Sequence, residues 1–542
     1  MYKNTIKTMI PVLLVTLFMT YGCKKDFLKT SDPNRITEEQ FWKTEGDVMS
    51  GVASIYSAMR QPLYGYWGAF TGIQNINSLG DDVLTFPGGE AATMNIALFA
   101  NEPRNSDARS TFEVLYKSIY RANQVLANID KVPLSDDKKA AFIAETKFLR
   151  GLCYFELASN YGDVPLIIAA AKTAADQFVK SSPVNEVYAH VILDFTEAKN
   201  GLPPTRAAGA KGRPTSGAAI AYLGKTYLYI KDYPKAEATL ALLKASPYSY
   251  SLTPEFSDNF TSKNEFNSEA VFEWVYGAAG DPTNPWGAEN ANAGMYNYLP
   301  QLIGSRAAGG WFKYMPTNYF VDQFMLEQRV AGSDTKFDKR MYFTLSWKRS
   351  DYGETNITYY GDKTFDDLWA AAQANISKLP ATVQPKKFLI QKFTNGWDTK
   401  SEGDNYWGAI PSTANNVIMR YAEVLLMHAE AAAKNNNLGA AIADLKLIRD
   451  RAGLKEKTSA DLPDLTSVMA EISHQKLLEM FFEQNRWQDL KRWYTPDQLK
   501  AHFTAIGKER AAYLEPKHYI FPIPAEELQT NSKIEQNPLW RN

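Results

Sequence analysis

Apolar side chains recur at helical spacing in several parts of the chain, most regularly from about residue 136 to residue 159. The positions that recur there at intervals of three and four are Ala144, Phe148, Gly151, Leu152, Phe155 and Ala158. This spacing predicts one long helix, and Gly162 just beyond it is expected to supply the left-handed residue that ends it. Because the small residues of the stripe allow close approach, we predict a packed helix pair here rather than a catalytic surface.

Another helix is predicted at the start of the folded part. Thr37 and Gln40 have the spacing of a capping box, and Ile36 and Phe41 have the spacing of the hydrophobic staple around it. We therefore expect the fold to begin at Thr37, with a first helix that continues to Met59.

Two further stretches carry the small-residue pattern of tetratricopeptide repeats, residues 218–246 and residues 421–453. Gly224 and Ala236 stand 12 positions apart in the first, and Ala429 and Ala441 stand 12 apart in the second. A helical hairpin needs a small residue on each helix where the two helices lie closest. Two clear repeats and two degenerate ones predict a helical scaffold over about residues 37–246 and 417–455.

The periodicity fades between residues 247 and 416, where Gly, Pro, Asn and aromatic residues are concentrated. Long irregular segments in a compact protein are often functional. We therefore predict that this aromatic-rich insertion carries the ligand-binding region, and that residues 456–542 form a C-terminal segment.

The pattern of the first 22 residues is that of a secretory signal peptide: Lys3 and Lys7 precede an apolar run from Met9 to Met19. The run has about 11 residues, whereas a membrane-spanning helix needs roughly 20. No later stretch is long and uncharged enough to span a bilayer. We therefore expect export followed by removal of residues 1–22.

Gly22-Cys23 resembles the end of a bacterial lipoprotein lipobox, although Thr20 stands where leucine is usual. This resemblance implies cleavage before Cys23 and its acylation, with two or three acyl chains that anchor the protein durably. The alternatives are an ordinary cleavage or a disulfide with Cys153. Cys153 lies in an apolar helical pattern, where a free cysteine behaves as a small buried hydrophobe.

Residues 24–36 lack periodicity and are interpreted as a tether that reaches roughly 40 Å from the lipid. Its first residues, Lys24-Lys25-Asp26, resemble the signal that sends lipoproteins of the Bacteroides group to the outer face of the outer membrane; a solvated tether is the simpler interpretation. Without the two lysines of the signal peptide, 57 basic and 60 acidic residues leave a net charge near −3, which attracts no polyanion.

Motifs for catalysis or metal binding are absent from the sequence. The five histidines, at positions 190, 428, 474, 502 and 518, have no spacing that would hold a metal on one helix, and no nucleophile elbow or phosphate-binding loop occurs. Asp398 to Asn405 places Lys400 where a calcium loop needs an oxygen ligand. We predict no enzyme activity, no cofactor and no metal site.

Charged residues at three-residue spacing follow the second repeat: Glu483, Arg486, Asp489 and Arg492. They favour a solvated charge ladder along one helix over a ligand site.

Six blocks, in order, resemble SusD/RagB outer-membrane lipoproteins: FWKTEGDVMSGVASIYSAM, KFLRGLCYFELASNYGDVPLI, GRPTSGAAIAYLGKTYLYIKDYPKAEA, VIMRYAEVLLMHAEAAAKNNNLGAAIADLKLIRDRAGL, LLEMFFEQNRWQDLKRW and YIFPIPAEELQTNSKIEQNPLW. The resemblance covers nearly the whole chain after Cys23. It implies a mainly α, SusD-like fold over residues 37–542, with four tetratricopeptide-type hairpins and an irregular, loop-rich remainder. It also implies a surface protein that binds nutrients, usually glycans, for a SusC-like TonB-dependent transporter.

A glycan is bound most effectively by flat aromatic rings that stack on sugar faces, with a few polar groups that fix orientation. The chain is 13% aromatic, so such rings are available. The candidate rings are Trp67, Trp286, Tyr296 and Trp311, and the candidate polar groups are Asp81 and Asp82. Each ring alternatively belongs to the core, and the two acids alternatively cap a helix or face solvent.

Three other functions stay open at this stage. RagB-like relatives imply peptide capture as the runner-up. A surface glycoside hydrolase would need two carboxylates about 5 to 9.5 Å apart across an aromatic cleft. A pure scaffold would use the repeat grooves to hold partner proteins, and it gains support if Trp67, Trp286 and Trp311 all prove buried.

Overall fold

The computed structural model describes residues 41–61, 65–68, 72–86, 91–277, 296–394, 396 and 412–541. The predicted signal peptide, Cys23, the tether, the capping box at Thr37, Trp286 and the weak calcium-loop match lie outside these ranges. Among the described helices, none combines the length and apolar content that crossing a bilayer requires.

The protein is mainly α-helical, as predicted. In the first half the helices are α1 (Glu45–Met59), α2 (Gly72–Leu79), α3 (Ala91–Ala97), α4 (Ser106–Asn128), α5 (Asp136–Tyr161), α6 (Val184–Gly201), α7 (Ser216–Tyr229) and α8 (Tyr233–Ala241). Later come α9 (Leu299–Ile303), α10 (Asn318–Met325), α11 (Lys339–Thr344), α12 (Phe365–Ile376), α13 (Tyr421–Lys434), α14 (Leu438–Arg451), α15 (Leu465–Glu479), α16 (Arg486–Trp493), α17 (Pro496–Ala505) and α18 (Ala525–Thr530).

The helix boundaries follow local capping chemistry. Helix α1 begins after Thr44, whose side chain and that of Asp47 form a capping box. The chain turns at residues 42–44 just before it, so the prediction of one unbroken helix from Thr37 is wrong, whereas the predicted end at Met59 is confirmed. Helix α5 ends at Tyr161, and Gly162 follows it at φ 74°, a backbone conformation that glycine adopts without a steric penalty.

Successive helices pack on one another and form the scaffold. The packing order is α1, α4, α5, α6, α7 and α8, and then α13, α14 and α15. Helix α8 therefore contacts α13, although the whole irregular segment separates them in the sequence. Gly224 of α7 faces Leu240 of α8 so closely that a Cβ atom there would lie 2.5 Å from the Leu240 Cγ. The small-residue pattern at Gly224 thus corresponds to a close approach of two helices. The assignment of four tetratricopeptide-type hairpins stays a prediction.

The described part of residues 247–416 has short helices and short two-stranded ribbons. The strands are β1 (Val83–Thr85), β2 (Val164–Pro165), β3 (Ser181–Ser182), β4 (Ala270–Trp274), β5 (Tyr314–Pro316), β6 (Leu345–Trp347), β7 (Phe388–Ile390) and β8 (Asn416–Arg420). They form the antiparallel pairs β1–β5, β2–β3, β4–β8 and β6–β7. The β4–β8 pair joins the two ends of the irregular segment.

A buried group of charges fastens the repeats to this segment. Arg420, which is almost completely buried, pairs with Glu269 at 2.7 Å, with Glu479 and with Glu483. Glu479 also forms an ion pair with Arg340 at 3.0 Å. Because an unpaired buried charge is costly, each residue of this group depends on its partners.

Candidate functional site

A polar cleft of about 720 Å³ lies between α10, the C-terminal end of α14, α15 and the last turn of α17. Its lining is rich in charged, amide and ring side chains, and every lining residue belongs to the described ranges. The lining includes Tyr319, Gln323, Glu327, Arg449, Lys455, Asp461, Glu471, Ser473, His474, Arg486, Tyr494 and His502.

Helical spacing explains why these side chains share one cavity. Tyr319 and Gln323 stand four positions apart on α10, which places them on one face of the helix, and Glu327 follows two residues after the helix ends. Thr317 fixes the start of that helix because its hydroxyl accepts a hydrogen bond from the Phe320 amide at 3.1 Å. On α15, Glu471 and His474 stand three apart and face the same cavity.

His474 links the two walls of the cleft. Its Nδ1 lies 3.1 Å from the Gln323 Oε1 and its Nε2 lies 2.9 Å from the Glu327 Oε1. Glu327 also accepts hydrogen bonds from Gln475 at 2.6 Å and Arg449 at 3.0 Å. Burial disfavours the charge on Glu327, but the bonds from His474 and the charge of Arg449 outweigh it and hold the pKa of Glu327 well below its usual range.

A second network positions the rings at the other end of the cleft. Asp81 accepts hydrogen bonds from Arg486 at 2.6 and 2.8 Å, and its Oδ2 lies 2.8 Å from the His502 Nε2. His502 stacks on Tyr494 with ring centroids 5.8 Å apart and planes 1° from parallel, and it meets the edge of Tyr319 at 5.5 Å. Burial, aided by the charge of Asp81, raises the pKa of Tyr319 to about 12, so its phenol stays protonated.

The cleft is close to electrically neutral. The basic residues Arg449, Lys455, Lys457 and Arg486 face the acidic residues Glu327, Glu456, Asp461 and Glu471. The phenol groups of Tyr319 and Tyr494 and the amide nitrogen of Gln323 make no hydrogen bond to another described residue, so they are available to a ligand. Such a site offers donors, acceptors and ring edges to a neutral, polar ligand.

Two roles were predicted for Trp67, a ligand-stacking ring or a core residue, and the structure shows the core residue. Its side chain is 5% exposed, and its ring lies 5.2 Å from that of Trp274 in the core. The loop turns the ring inward because the Trp67 amide donates to the Met59 carbonyl at the end of α1, at 3.2 Å.

The two predicted acids, Asp81 and Asp82, are also buried. Neither can therefore accept a hydrogen bond directly from a hydroxyl group of a ligand. Asp81 supports the cleft from behind through Arg486 and His502. Asp82 is 2% exposed, and its Oδ1 has no hydrogen-bond partner in the described structure. Burial and the neighbouring charge of Asp81 raise the pKa of Asp82 to about 7. The prediction that these acids cap a helix or face solvent is equally wrong.

The remaining predicted rings lie in different surroundings. Tyr296 is 4% exposed and belongs to the core. Trp311 is half-buried, and its amide donates to the Gln301 carbonyl at 2.6 Å, just before β5. Trp311 does not line the polar cleft. Because Trp311 retains some exposure, the condition that would favour a pure scaffold is not met.

Sequence reasoning missed the cleft residues Tyr319, Gln323, Tyr494 and His502. The interval of four between Tyr319 and Gln323 was a usable signal, but the other two residues join the cleft only through tertiary packing. The predicted charge ladder was also wrong, apart from the Asp489–Arg492 pair at 2.6 Å. The other partners lie elsewhere in the chain: Lys392 and Arg420 for Glu483, Asp81 for Arg486, Lys476 for Asp489 and Glu430 for Arg492.

Cys153 is a free, fully buried thiol, as its apolar surroundings predicted. His428 is likewise packed in the core, against Asp444. Within the described ranges, no group of three or more His, Cys, Asp or Glu side chains is arranged to hold a metal ion.

The protein is a mainly helical scaffold with a polar cleft, and comparison with known proteins specifies its family. The family model described as the SusD family matches residues 268–540, half of the chain, and the model described as starch-binding associating with outer membrane matches residues 88–228. The chain belongs to the SusD family.

Similar proteins align over almost their whole length. A SusD-like protein of Formosa agariphila is 25% identical over 559 residues, which cover 99% of each chain. The crystal structure of a SusD superfamily protein from Bacteroides vulgatus is 28% identical, with a TM-score of 0.77 over 92% of this chain and 100% of that one. A laminarin-binding SusD-like protein is 25% identical, with a TM-score of 0.72 over the same shares. The predicted SusD-like fold is thereby confirmed.

Proposed function

We propose that this protein is a cell-surface lipoprotein that captures oligosaccharides and passes them, uncleaved, to a SusC-like TonB-dependent transporter in the outer membrane. The observation that carries the proposal is the charge-balanced polar cleft with Tyr319 and Tyr494. Membership of the SusD family and the likeness to a laminarin-binding relative support the same ligand class.

The cleft matches the chemistry of a neutral sugar chain. Hydroxyl groups act as both donors and acceptors, and the cavity supplies both from side chains that are already held in place by ion pairs and hydrogen bonds. A rigid site loses less entropy when the ligand binds. A net charge near zero matches an uncharged ligand.

Trp311 remains a predicted sugar contact outside the cleft. Isothermal titration of the variants with laminarin and a panel of soluble glycans shows whether the cleft or Trp311 contacts the sugar. Tyr494→Ala is expected to weaken binding about tenfold, since loss of a ring contact of about 1.4 kcal/mol is a tenfold change in affinity. Gln323→Ala removes an amide hydrogen bond of about 0.5 to 1.5 kcal/mol and is expected to weaken binding about two- to tenfold. Tyr513→Ala is the matched control, because Tyr513 is 61% exposed and remote from the cleft lining.

If Trp311→Ala abolishes glycan binding and the two cleft variants bind normally, the ligand site is at Trp311 and the assignment to the cleft is overturned. If none of these variants changes binding, both surfaces are excluded. Failure of every glycan to bind, with binding of peptides instead, would favour the RagB-like alternative.

Anchoring and partnership need cell-based tests. Cys23→Ala is expected to release the protein from the membrane fraction, and the wild type is expected to copurify with a TonB-dependent transporter. A reducing-end assay with the same glycans tests for hydrolysis. New ends that disappear when one Asp or Glu is replaced would refute the proposal of uncleaved delivery.

A further inference from the structure

His474 bridges the polar cleft between two oxygen atoms, and this arrangement restricts where its protons lie. Its Nε2 is 2.9 Å from the Glu327 Oε1, and its Nδ1 is 3.1 Å from the Gln323 Oε1. The oxygen atoms of an ionised carboxylate and of an amide accept hydrogen bonds and donate none. Both contacts are therefore hydrogen bonds only when both ring nitrogens carry a proton.

The Glu327 side of this bridge is fixed. The same Oε1 atom also accepts hydrogen bonds from Gln475 at 2.6 Å and from Arg449 at 3.0 Å. The Gln475 amide is held in this orientation because its own oxygen accepts a hydrogen bond from Arg340 at 2.8 Å. The His474 Nε2 consequently keeps its proton in either charge state of the ring.

The Gln323 side has two arrangements. The amide nitrogen of Gln323 makes no hydrogen bond to another residue of the described chain, so the amide can turn over without breaking any bond except that to His474. When Nδ1 loses its proton it becomes an acceptor, and only the NH₂ end of the amide then suits it. Each charge state of the ring thus selects one orientation of the amide.

The cleft meets the opposite end of the amide in each state. With the ring protonated, Nδ1 holds the Gln323 oxygen and the NH₂ group is left for a ligand. With the ring neutral, Nδ1 holds the NH₂ group and the carbonyl oxygen is left instead. Histidine is the side chain whose charge ordinarily changes between about pH 5 and 8.

The other charged groups near His474 are already paired. On the helices around it they are Glu327 after α10, Arg340 on α11, Arg449 on α14, Glu471 on α15, Arg486 on α16 and His502 on α17. The segment between α14 and α15 adds Lys455, Glu456, Lys457 and Asp461, and the phenols are those of Tyr319 and Tyr494. Arg449 pairs with Glu327 at 3.0 Å and with Glu471 at 2.7 Å, and Arg486 pairs with Asp81. The proton of the His474 ring is therefore the change that Gln323 meets directly.

We propose that His474 is a positioning residue of the cleft, whose Nδ1 proton decides whether Gln323 offers a ligand N–H donors or a carbonyl acceptor. Ligand groups that only accept hydrogen bonds, such as ether oxygens, are then favoured when the ring is protonated. A hydroxyl group serves both states because it donates and accepts. The effect on capture rests on the proposed function, whereas the state of the amide exists without a ligand.

The coupling is tested without a ligand by nuclear magnetic resonance of the soluble protein lacking Cys23, labelled with nitrogen-15 in His and Gln. Between pH 5.5 and 8 the Nδ1 signal of His474 is expected to change from protonated to unprotonated. The side-chain amide of Gln323 is expected to shift with the same midpoint. His474→Asn identifies the ring signal and is expected to leave the Gln323 amide unchanged over this range. His502 contacts Asp81 rather than Gln323, so an amide that followed His502 would contradict the proposal.

Two charge variants separate the direct contact from a general electrostatic effect. Gln323→Glu places an acceptor beside Nδ1 at every pH, so both nitrogens of His474 are expected to stay protonated to a higher pH than in the wild type. Gln328→Glu is the matched control, because Gln328 is exposed in the same cleft lining and makes no hydrogen bond to His474. Its added charge should act much more weakly. Thermal unfolding of each variant shows whether the fold is intact.

Isothermal titration with laminarin and with partly O-methylated laminarin, whose ether oxygens only accept, measures the effect on capture. From pH 8 to pH 5.5 the ratio of the two affinities is expected to move about two- to tenfold in favour of the methylated polymer, as one hydrogen bond allows. This change is expected to vanish in His474→Asn. A Gln323 amide that stays constant while His474 titrates, or a ratio independent of pH, would overturn the proposal. If neither polymer binds, the proposed function has failed, and the ligand-free spectra still decide the role of His474.

Discussion

The Oδ2 atom of Asp81 lies 2.8 Å from the Nε2 atom of His502, across 421 positions of the chain. Through this contact a loop near the N-terminus sets the ring that stacks on Tyr494 in the polar cleft. Arg486 binds the same carboxylate, so a loop near the N-terminus meets two consecutive helices near the C-terminus, α16 and α17, at one buried acid. The cleft consequently forms only when both ends of the fold are in place.

Asp81→Asn is expected to lower the free energy of unfolding by about 3 to 5 kcal/mol, because it leaves the buried Arg486 guanidinium without its counter-charge. Urea denaturation followed by circular dichroism measures the change. Asp497→Asn serves as control, since Asp497 is exposed in the first turn of α17 and its helix-dipole contribution is at most about 1 kcal/mol. Equal midpoints for the two variants would show that the Asp81 network is not stabilising.

Asp82→Asn is expected to change how stability depends on pH. The pKa of Asp82 is raised to about 7 by burial and by Asp81, so its favourable protonated state is lost as the pH rises from about 4 through 7. The wild type should therefore lose stability over this window relative to the variant. Differences in melting temperature between the two proteins, measured at pH 4, 5.5 and 7.5, should grow in favour of the variant. A constant difference would contradict the raised pKa.

Gly224→Ala tests the closest approach of α7 and α8. Alanine gains up to about 1 kcal/mol of helix propensity over glycine, but overpacking against the fully buried Leu240 costs about 1 to 3 kcal/mol. We expect net destabilisation of up to about 2 kcal/mol in chemical denaturation. Gly439→Ala in α14 is the control, because a Cβ there meets nothing within 4 Å, and this change should be neutral or slightly stabilising.

Cys153 is expected to be unreactive in the folded protein. Burial raises the pKa of its thiol, and the nucleophilic species is the thiolate. In a soluble form without Cys23, Ellman's reagent should report no thiol under native conditions and one thiol per chain in 6 M guanidinium chloride. Rapid labelling without denaturant would mean that the helices around Cys153 open readily.

Patterns within one helix were predicted well from the sequence. Three features follow from the 3.6-residue periodicity of a helix and from the backbone freedom of glycine. They are the apolar stripe around Gly151, the end of α5 at Gly162 and the close helix contact at Gly224. These features depend on neighbours a few positions away, so the sequence contains the necessary information.

The site depended on distant partners and was predicted poorly. Trp67 looked like a loop ring, yet Trp274, which lies far along the chain, supplies the surface that buries it. Asp81 was interpreted from the sequence as a surface acid, but in the structure it is buried and contacts Arg486 and His502. Burial and pairing of this kind are tertiary properties, which the types of neighbouring residues in the sequence do not encode.

The β4–β8 ribbon gives the irregular segment a fixed base. Its register joins Trp274 to Asn416, so the chain between them leaves and returns at one place. The entropic cost of closing such a loop rises by only about 0.6 kcal/mol for each doubling of its length. Insertions or deletions in the parts of this segment that do not contact the helices therefore cost the fold little.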